Sequence, residues 1–376
     1  MTPPGDQPGF VPPPYPYDRL RELEPLAAAH EGGVVDLSIG TPCDAPPAFV
    51  LDALSSSGTE RGYPASIGSP AYRDAAAGWL ERRLGVTVAV DELAACIGTK
   101  EFVAGLPHWL RLRDPSRDTV LYPAISYPSY AMGATLAGAR AVPVPPGPDG
   151  APDLDAISAD DASRALCLWV NVPGNPTGAV TDLGPAAAWG RAHGVPVASD
   201  ECYVEFTWQG PRRTILEHGT DGVLAVHSLS KRSNLAGVRA GFYAGDAELV
   251  HYLSELRKHA GFMVPGPVQA AAVAAWRDDA HVDEQCGRYL ARLDLLADTL
   301  CERDILAARP DGAFYLWVAA PDGDAWGLAR RLAAEGGALV SPGEFYGPQG
   351  AGFVRIAAVQ PDDRLELLAR RLRGVG

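Results

Sequence analysis

Short apolar runs, each closed by polar or turn residues, recur through the middle of the chain: Thr119–Tyr122, Ala165–Val170, Val195–Ala198, Val223–His227 and Val238–Ala244. Runs of this length predict strands, and the helical stretches between them predict a mostly parallel α/β sheet. Ser69 opens a helix whose Ala71, Ala75, Trp79 and Leu80 share an inward face. Upstream, an amphipathic segment runs from Asp18 to about His30, and Val34–Pro42 reads as a short strand ending in a turn. Residues 1–16 hold seven prolines, which predicts an extended arm. Downstream, helices are expected over about Ala247–Lys258 and Val268–Asp304, and strands over Gly312–Val318 and Phe353–Ala357. The pattern divides into an N-terminal arm with the start of a small domain (1–40), a large domain (41–262) and a small C-terminal α/β domain (263–376).

Ligands bind such sheets at the carboxyl ends of strands, and there the polar residues are distinctive. The chain has only three lysines, Lys100, Lys231 and Lys258, against 29 arginines. Coding bias toward Ala, Gly, Pro and Arg gives a plain reason for that scarcity. A Schiff-base lysine, however, cannot be exchanged for Arg, which stays protonated and cannot add to an aldehyde. Lys231 follows Ser228 and Ser230 and precedes Arg239, company suited to a phosphorylated aldehyde, pyridoxal phosphate (PLP). Asp200 ends a strand, where it can hold a pyridine nitrogen protonated, with Tyr203 three residues on. The ordinary reading of that pair is a helix cap and a core tyrosine. Asn175-Pro176-Thr177-Gly178 is on its face a turn, and its amide also suits the phenolic oxygen of PLP. Gly98-Thr99-Lys100 links a strand to a helix, as a simple turn or as an anion site. Tyr127 suits ring stacking or core packing. Arg355, set between apolar neighbours, calls for a carboxylate, from a substrate or from a structural salt bridge.

The net charge of −14 argues against a nucleic-acid partner, and no apolar run approaches a membrane span. Six cysteines without C-x-x-C spacing read as reduced thiols of a cytoplasmic protein; the N-terminus lacks a secretory pattern, and no His/Cys cluster suggests a metal.

Taken in order, Gly40-Thr41-Pro42, Tyr63, Gly98-Thr99-Lys100, Tyr127, Asn175-Pro176-Thr177-Gly178, Asp200 with Tyr203, Ser228-Leu229-Ser230-Lys231, Arg239 and Arg355 resemble the fold-type-I PLP aminotransferases of class I/II over essentially the full length. One local departure is the stretched Pro123-Ala124-Ile125-Ser126-Tyr127-Pro128. The resemblance implies a transaminase with a large PLP-binding domain, in which Lys231 carries the cofactor and Asp200 pairs with its ring nitrogen. It implies that Asn175 and Tyr203 hold the phenolic oxygen, and that Ser228, Ser230, Arg239 and the Thr99–Lys100 backbone hold the phosphate. It further implies that Tyr127 stacks on the ring, that Arg355 grips the substrate α-carboxylate beside Gly40, and that Tyr63 reaches the phosphate of a second subunit in a homodimer. Small amino and 2-oxo acids are the implied partners. Phe10–Asp18 and Lys231–Gly237 look most like bacterial N-succinyldiaminopimelate aminotransferases of lysine biosynthesis. An aspartate or other amino-acid aminotransferase, or less closely a PLP lyase of the same fold, is the alternative. For the long donor, Lys100, Arg232 and Arg19 are the candidate distal anchors.

Overall fold

A computed structural model describes residues 10–374, so the first nine residues of the expected proline arm lie outside the described part. Seven strands form the central sheet, in the order Leu93–Cys96, Gly241–Gly245, Val223–Ser228, Val197–Asp200, Ala165–Asn171, Thr119–Pro123 and Arg140–Val144. Gly241–Gly245 runs antiparallel to both neighbours and the remaining pairings are parallel. The mostly parallel α/β sheet expected from the sequence is therefore present. Its strands are apolar on both faces because both faces are covered. Leu93, Ala95, Leu168 and Ala225 pack toward Trp79 and Trp276 on one side. Ala94, Cys96, Trp169 and Val226 pack toward Phe102, Leu110 and Leu253 on the other.

A second core lies under the antiparallel sheet Ser341–Pro342, Phe353–Ala357 and Tyr315–Ala319. The N-terminal residues Leu20, Leu23, Ala27 and Leu37 join this core, and Val35–Asp36 pairs in parallel with Ala338–Leu339. The amphipathic segment after Asp18 is a 3₁₀ turn, Pro16–Glu22, followed by the helix Glu24–Ala28.

Several expected elements differ in their limits: the strand expected over Gly312–Val318 is Tyr315–Ala319, and that within Val34–Pro42 is Val35–Asp36. The helix expected over Val268–Asp304 is two helices, Gly266–Arg277 and Ala280–Cys301. The break is held by side chains: Asp279 accepts from Arg232 at 2.9 Å, and Asp278 accepts from the His281 backbone N–H at 3.1 Å. The first of these helices buries Ala271, Ala272, Ala275 and Trp276 in the core of the central sheet. The second contributes Leu293, Leu296 and Leu300 to the other core, so the packing changes over between the two. The strand after Val238 begins only at Gly241, because Val238 closes a 3₁₀ turn and Arg239 adopts φ +60°.

Glu205 ties the helix Pro70–Leu84 to the Lys231 segment. Its buried carboxylate accepts from Trp79 Nε1 at 2.7 Å, Arg232 Nε at 3.1 Å and Arg83 Nε at 3.1 Å. Glu205→Leu strands these guanidinium groups and is expected to destabilise the protein by about 3–5 kcal/mol, read as a lower urea midpoint. An unchanged midpoint would mean that Asp279 and the helix carbonyls hold Arg232 without it.

Candidate active site

The site lies at the carboxyl ends of the parallel strands, where the antiparallel sheet closes over them. It is a cavity of about 410 Å³ lined by Thr99, Lys100, Tyr127, Asn175, Asp200, Tyr203, Ser228, Ser230, Lys231, Arg239, Gly40 and Arg355, among others. Of the residues that the family resemblance places around the cofactor and the α-carboxylate, Tyr63 is elsewhere. It is 98% exposed, so none of the described residues covers it.

Lys231 sits on a one-turn helix, Leu229–Arg232, capped by Ser228, whose Oγ accepts from Ser230 N at 3.1 Å. Its Nζ donates to the carbonyl of Gly40. Burial, with Arg355 and Arg239 nearby, pulls the ammonium down to about 8. The other lysines are placed differently. Lys258 pairs with Glu255 on the surface, and Lys100 lies exposed at the rim beside the rings of Tyr15 and Tyr127.

Asp200 ends its strand 7% exposed, and burial raises its pKa. Tyr130 donates to its Oδ2 at 2.9 Å and the Cys202 N–H to its Oδ1 at 3.3 Å, yet among the described residues no cation pairs with it. A buried carboxylate without a cation is costly, and a pyridinium facing it would supply the missing charge. Arg239 likewise has no carboxylate partner among the described residues; it donates to the Ala236 carbonyl at 2.8 Å. Its guanidinium lies over Gly98, where a Cβ would come within 2.2 Å of Nη2. Gly98 also has φ +70°, which admits glycine readily. Beyond it the helix Thr99–Arg113 begins, so backbone N–H groups, Arg239 and the two serine hydroxyls converge on one anion-accepting corner. The turn is braced by Glu101, which accepts from Ile97 N at 2.8 Å and from Arg257 through both carboxylate oxygens. These observations fit a phosphorylated pyridine aldehyde: an anion corner, an uncompensated carboxylate and a lysine with a depressed pKa.

Arg355 occupies the middle strand of the antiparallel sheet and is 2% exposed. It donates to Asn175 Oδ1 at 2.9 Å and to the Ser38 carbonyl at 2.5 Å. No carboxylate pairs with it among the described residues, so the salt-bridge alternative has no partner there. Its guanidinium lies 4.2 Å from the Tyr315 ring centroid and 4.8 Å from that of Tyr346.

The residues missed from sequence are aromatic. Tyr130 reaches Asp200, Tyr315 reaches Tyr203, and Tyr15 and Tyr17 line the mouth. Tyr130 stands three residues beyond Tyr127, but nothing in the local pattern marks its partner. Two candidate distal anchors are already engaged. Arg232 is fully buried against Glu205 and Asp279, and Arg19 pairs with Glu344 at 2.6 Å. Only Lys100 of the three lines the cavity.

A largely parallel sheet with this pocket at its strand ends defines a fold-type-I PLP enzyme. More particularly, the family model "Aminotransferase class I and II" matches residues 32–372, and the chain belongs to that family. It is a PLP-dependent transaminase. It is 42% identical over 368 residues to the 4-dedimethylamino-4-oxo-anhydrotetracycline transaminase OxyQ of Streptomyces rimosus, covering 96% of this chain and 99% of that one. It is 37% identical over 376 residues to the LL-diaminopimelate aminotransferase of Desulforudis audaxviator, covering 96% and 95%. A solved structure from Thermus thermophilus, described as a "probable N-succinyldiaminopimelate aminotransferase", matches with TM-score 0.84 and 32% identity, over 96% of this chain and all of that one. Among the described residues no helix is long and apolar enough to cross a membrane.

Proposed function

We propose that the chain transfers the amino group of an α-amino acid with a second anionic end, N-succinyl-LL-2,6-diaminopimelate being the donor, to 2-oxoglutarate in lysine and diaminopimelate biosynthesis. The observation that carries this reading is that, apart from Lys231 and the Arg239 corner, two further cations in the pocket lack carboxylate partners among the described residues: Arg355 at the buried floor and Lys100 at the exposed rim. The relation to LL-diaminopimelate aminotransferases supports it. An aspartate or other amino-acid donor is the second reading. The aromatic rim of Tyr15, Tyr17 and Tyr127, with the OxyQ relationship, favours a bulkier partner.

Lys231, Asp200 and Tyr203 are the proposed catalytic set. Bound in this pocket, PLP supplies an aldehyde to take the amino group and a ring to draw electrons from the donor α-carbon. Lys231 holds the cofactor and, once released as a free amine, moves the proton from the donor α-carbon. Asp200 keeps the ring nitrogen protonated, with Tyr130 and Cys202 fixing its carboxylate. Asn175 and Tyr203 donate to the phenolic oxygen, and Tyr127 covers the ring. Thr99, Lys100, Ser228, Ser230 and Arg239 hold the phosphate through the anion corner, the first two by their backbone N–H groups. Arg355 forks the α-carboxylate, oriented by Asn175, the Ser38 carbonyl and two aromatic faces, while Gly40 leaves room beside it. Tyr63, exposed here, is proposed to complete the phosphate site of a second copy in a cytoplasmic homodimer.

The test is the kcat/KM ratio of N-succinyl-diaminopimelate over aspartate, in the parent and in Lys100→Met. A ratio above one is expected. The variant should lower it by about tenfold, the scale of a charge-assisted hydrogen bond, and leave glutamate kinetics nearly unchanged. A parent ratio below one would overturn the donor while leaving the transaminase untouched.

A further inference from the structure

Tyr315 touches three parts of the site at once, and none of the motifs quoted above includes it. Its hydroxyl lies 2.8 Å from that of Tyr203, and both side chains are buried. Its ring face carries the Arg355 guanidinium at 4.2 Å. Its hydroxyl also fills the space beside Gly40, where a Cβ would meet it at 2.0 Å. Gly40 is the residue whose carbonyl receives Lys231 Nζ. The sheet register explains the placement. Ala357 pairs with Tyr315 and Arg355 with Trp317, so Tyr315 and Arg355 are diagonal neighbours on one face.

We propose that Tyr315 is a positioning residue that couples the carboxylate fork at Arg355 to the donor strength of Tyr203. The coupling depends on which hydroxyl donates. Arg355 lies directly on the Tyr315 ring, and a cation on a phenol ring makes its O–H the better donor. Burial pushes both phenols up, Tyr315 to about 12 and Tyr203 well above its ordinary value, while Arg355 opposes the rise. Tyr315 therefore donates to Tyr203, and Tyr203 keeps its own proton for the next acceptor. A hydroxyl that accepts a hydrogen bond becomes a stronger donor. A carboxylate arriving on Arg355 offsets the guanidinium charge and so weakens this chain of donors at the far end.

The inference rests on the proposed donation by Tyr203 to the phenolic oxygen of the cofactor, and the experiment separates the two. The holoenzyme is titrated with pH, following the absorbance of the lysine-bound cofactor. Weaker donation to the phenolic oxygen leaves more negative charge to hold the proton on the Lys231-bound nitrogen, so the midpoint rises. Tyr315→Phe keeps the ring under Arg355 and removes only the hydroxyl. It is expected to raise the midpoint by about half a unit to one unit, the size of one hydrogen bond. Tyr203→Phe should raise it at least as much, and adding Tyr315→Phe to that background should raise it no further. Gly40→Ala, which drives the Tyr315 hydroxyl away without altering it, should raise it as well and decides the matter if Tyr315→Phe does not fold. An unmoved midpoint in Tyr315→Phe, or a rise that persists undiminished in the Tyr203→Phe background, overturns the coupling. An unmoved midpoint in Tyr203→Phe alone overturns the Tyr203 role and the inference with it.

Discussion

Lys231→Ala is expected to lower transamination by about 10⁴-fold, the upper end of what a positioned acid–base group contributes, and to leave no pyridoxyl-lysine after borohydride reduction. The three lysines differ in their surroundings. Lys258 is paired on the surface and Lys100 is exposed at the rim, whereas Lys231 is enclosed with Arg355, Arg239 and Asp200. With its pKa brought down to about 8, roughly one lysine in ten is a free amine at pH 7. An ordinary lysine would be neutral in roughly one molecule in three thousand. The depression follows from burial first and from two neighbouring arginines second, while Asp200 and Cys202 oppose it. Mass spectrometry of the reduced, digested variant checks the assignment. A reduced adduct on Lys100 or Lys258 accompanied by turnover would sink it.

Asp200→Asn preserves shape and removes charge, and the rate is expected to fall by roughly 10²–10³-fold, the scale of losing one preorganised electrostatic partner. The isosteric amide can still accept from the Cys202 N–H through its oxygen and donate its NH2 to the Tyr130 hydroxyl oxygen, so the carboxamide should stay in place. What disappears is the negative charge in a pocket that offers the ring nitrogen no other anion among the described residues. The nitrogen then loses its proton near neutrality. Single-turnover rates with bound cofactor, compared at equal occupancy, check this. A near-normal rate at full occupancy would show that Asp200 acts by shape alone.

The sequence by itself determined the type of sheet and the cofactor, and it marked Lys231 as the candidate lysine. Those features are local. A four- to seven-residue apolar run fixes a strand, and Asp200, Asn175 and Lys231 sit at or just beyond strand ends because turns follow strands in a few residues. The order of such short motifs is readable without any folding.

The tertiary structure alone decided which polar groups meet. Tyr130 and Asp200 are 70 residues apart, Tyr203 and Tyr315 are 112 apart, and Arg355 and Ser38 are 317 apart. No periodicity encodes such pairs: the first comes from the helix Ser129–Leu136 packing on the central sheet, and the other two from the antiparallel sheet closing over its end. The same physics removed Arg232 from the list of substrate anchors. Read along the chain it stands beside Lys231, but a one-turn helix points it away from the cavity, where Glu205 and Asp279 take its charge. It also broke the expected long helix at Asp278–Asp279, since those carboxylates gain more from Arg232, Arg82 and His281 than from continuing the helix. A buried charge must find its partner wherever the fold supplies one, and that requirement is set by three-dimensional proximity rather than by spacing in the sequence.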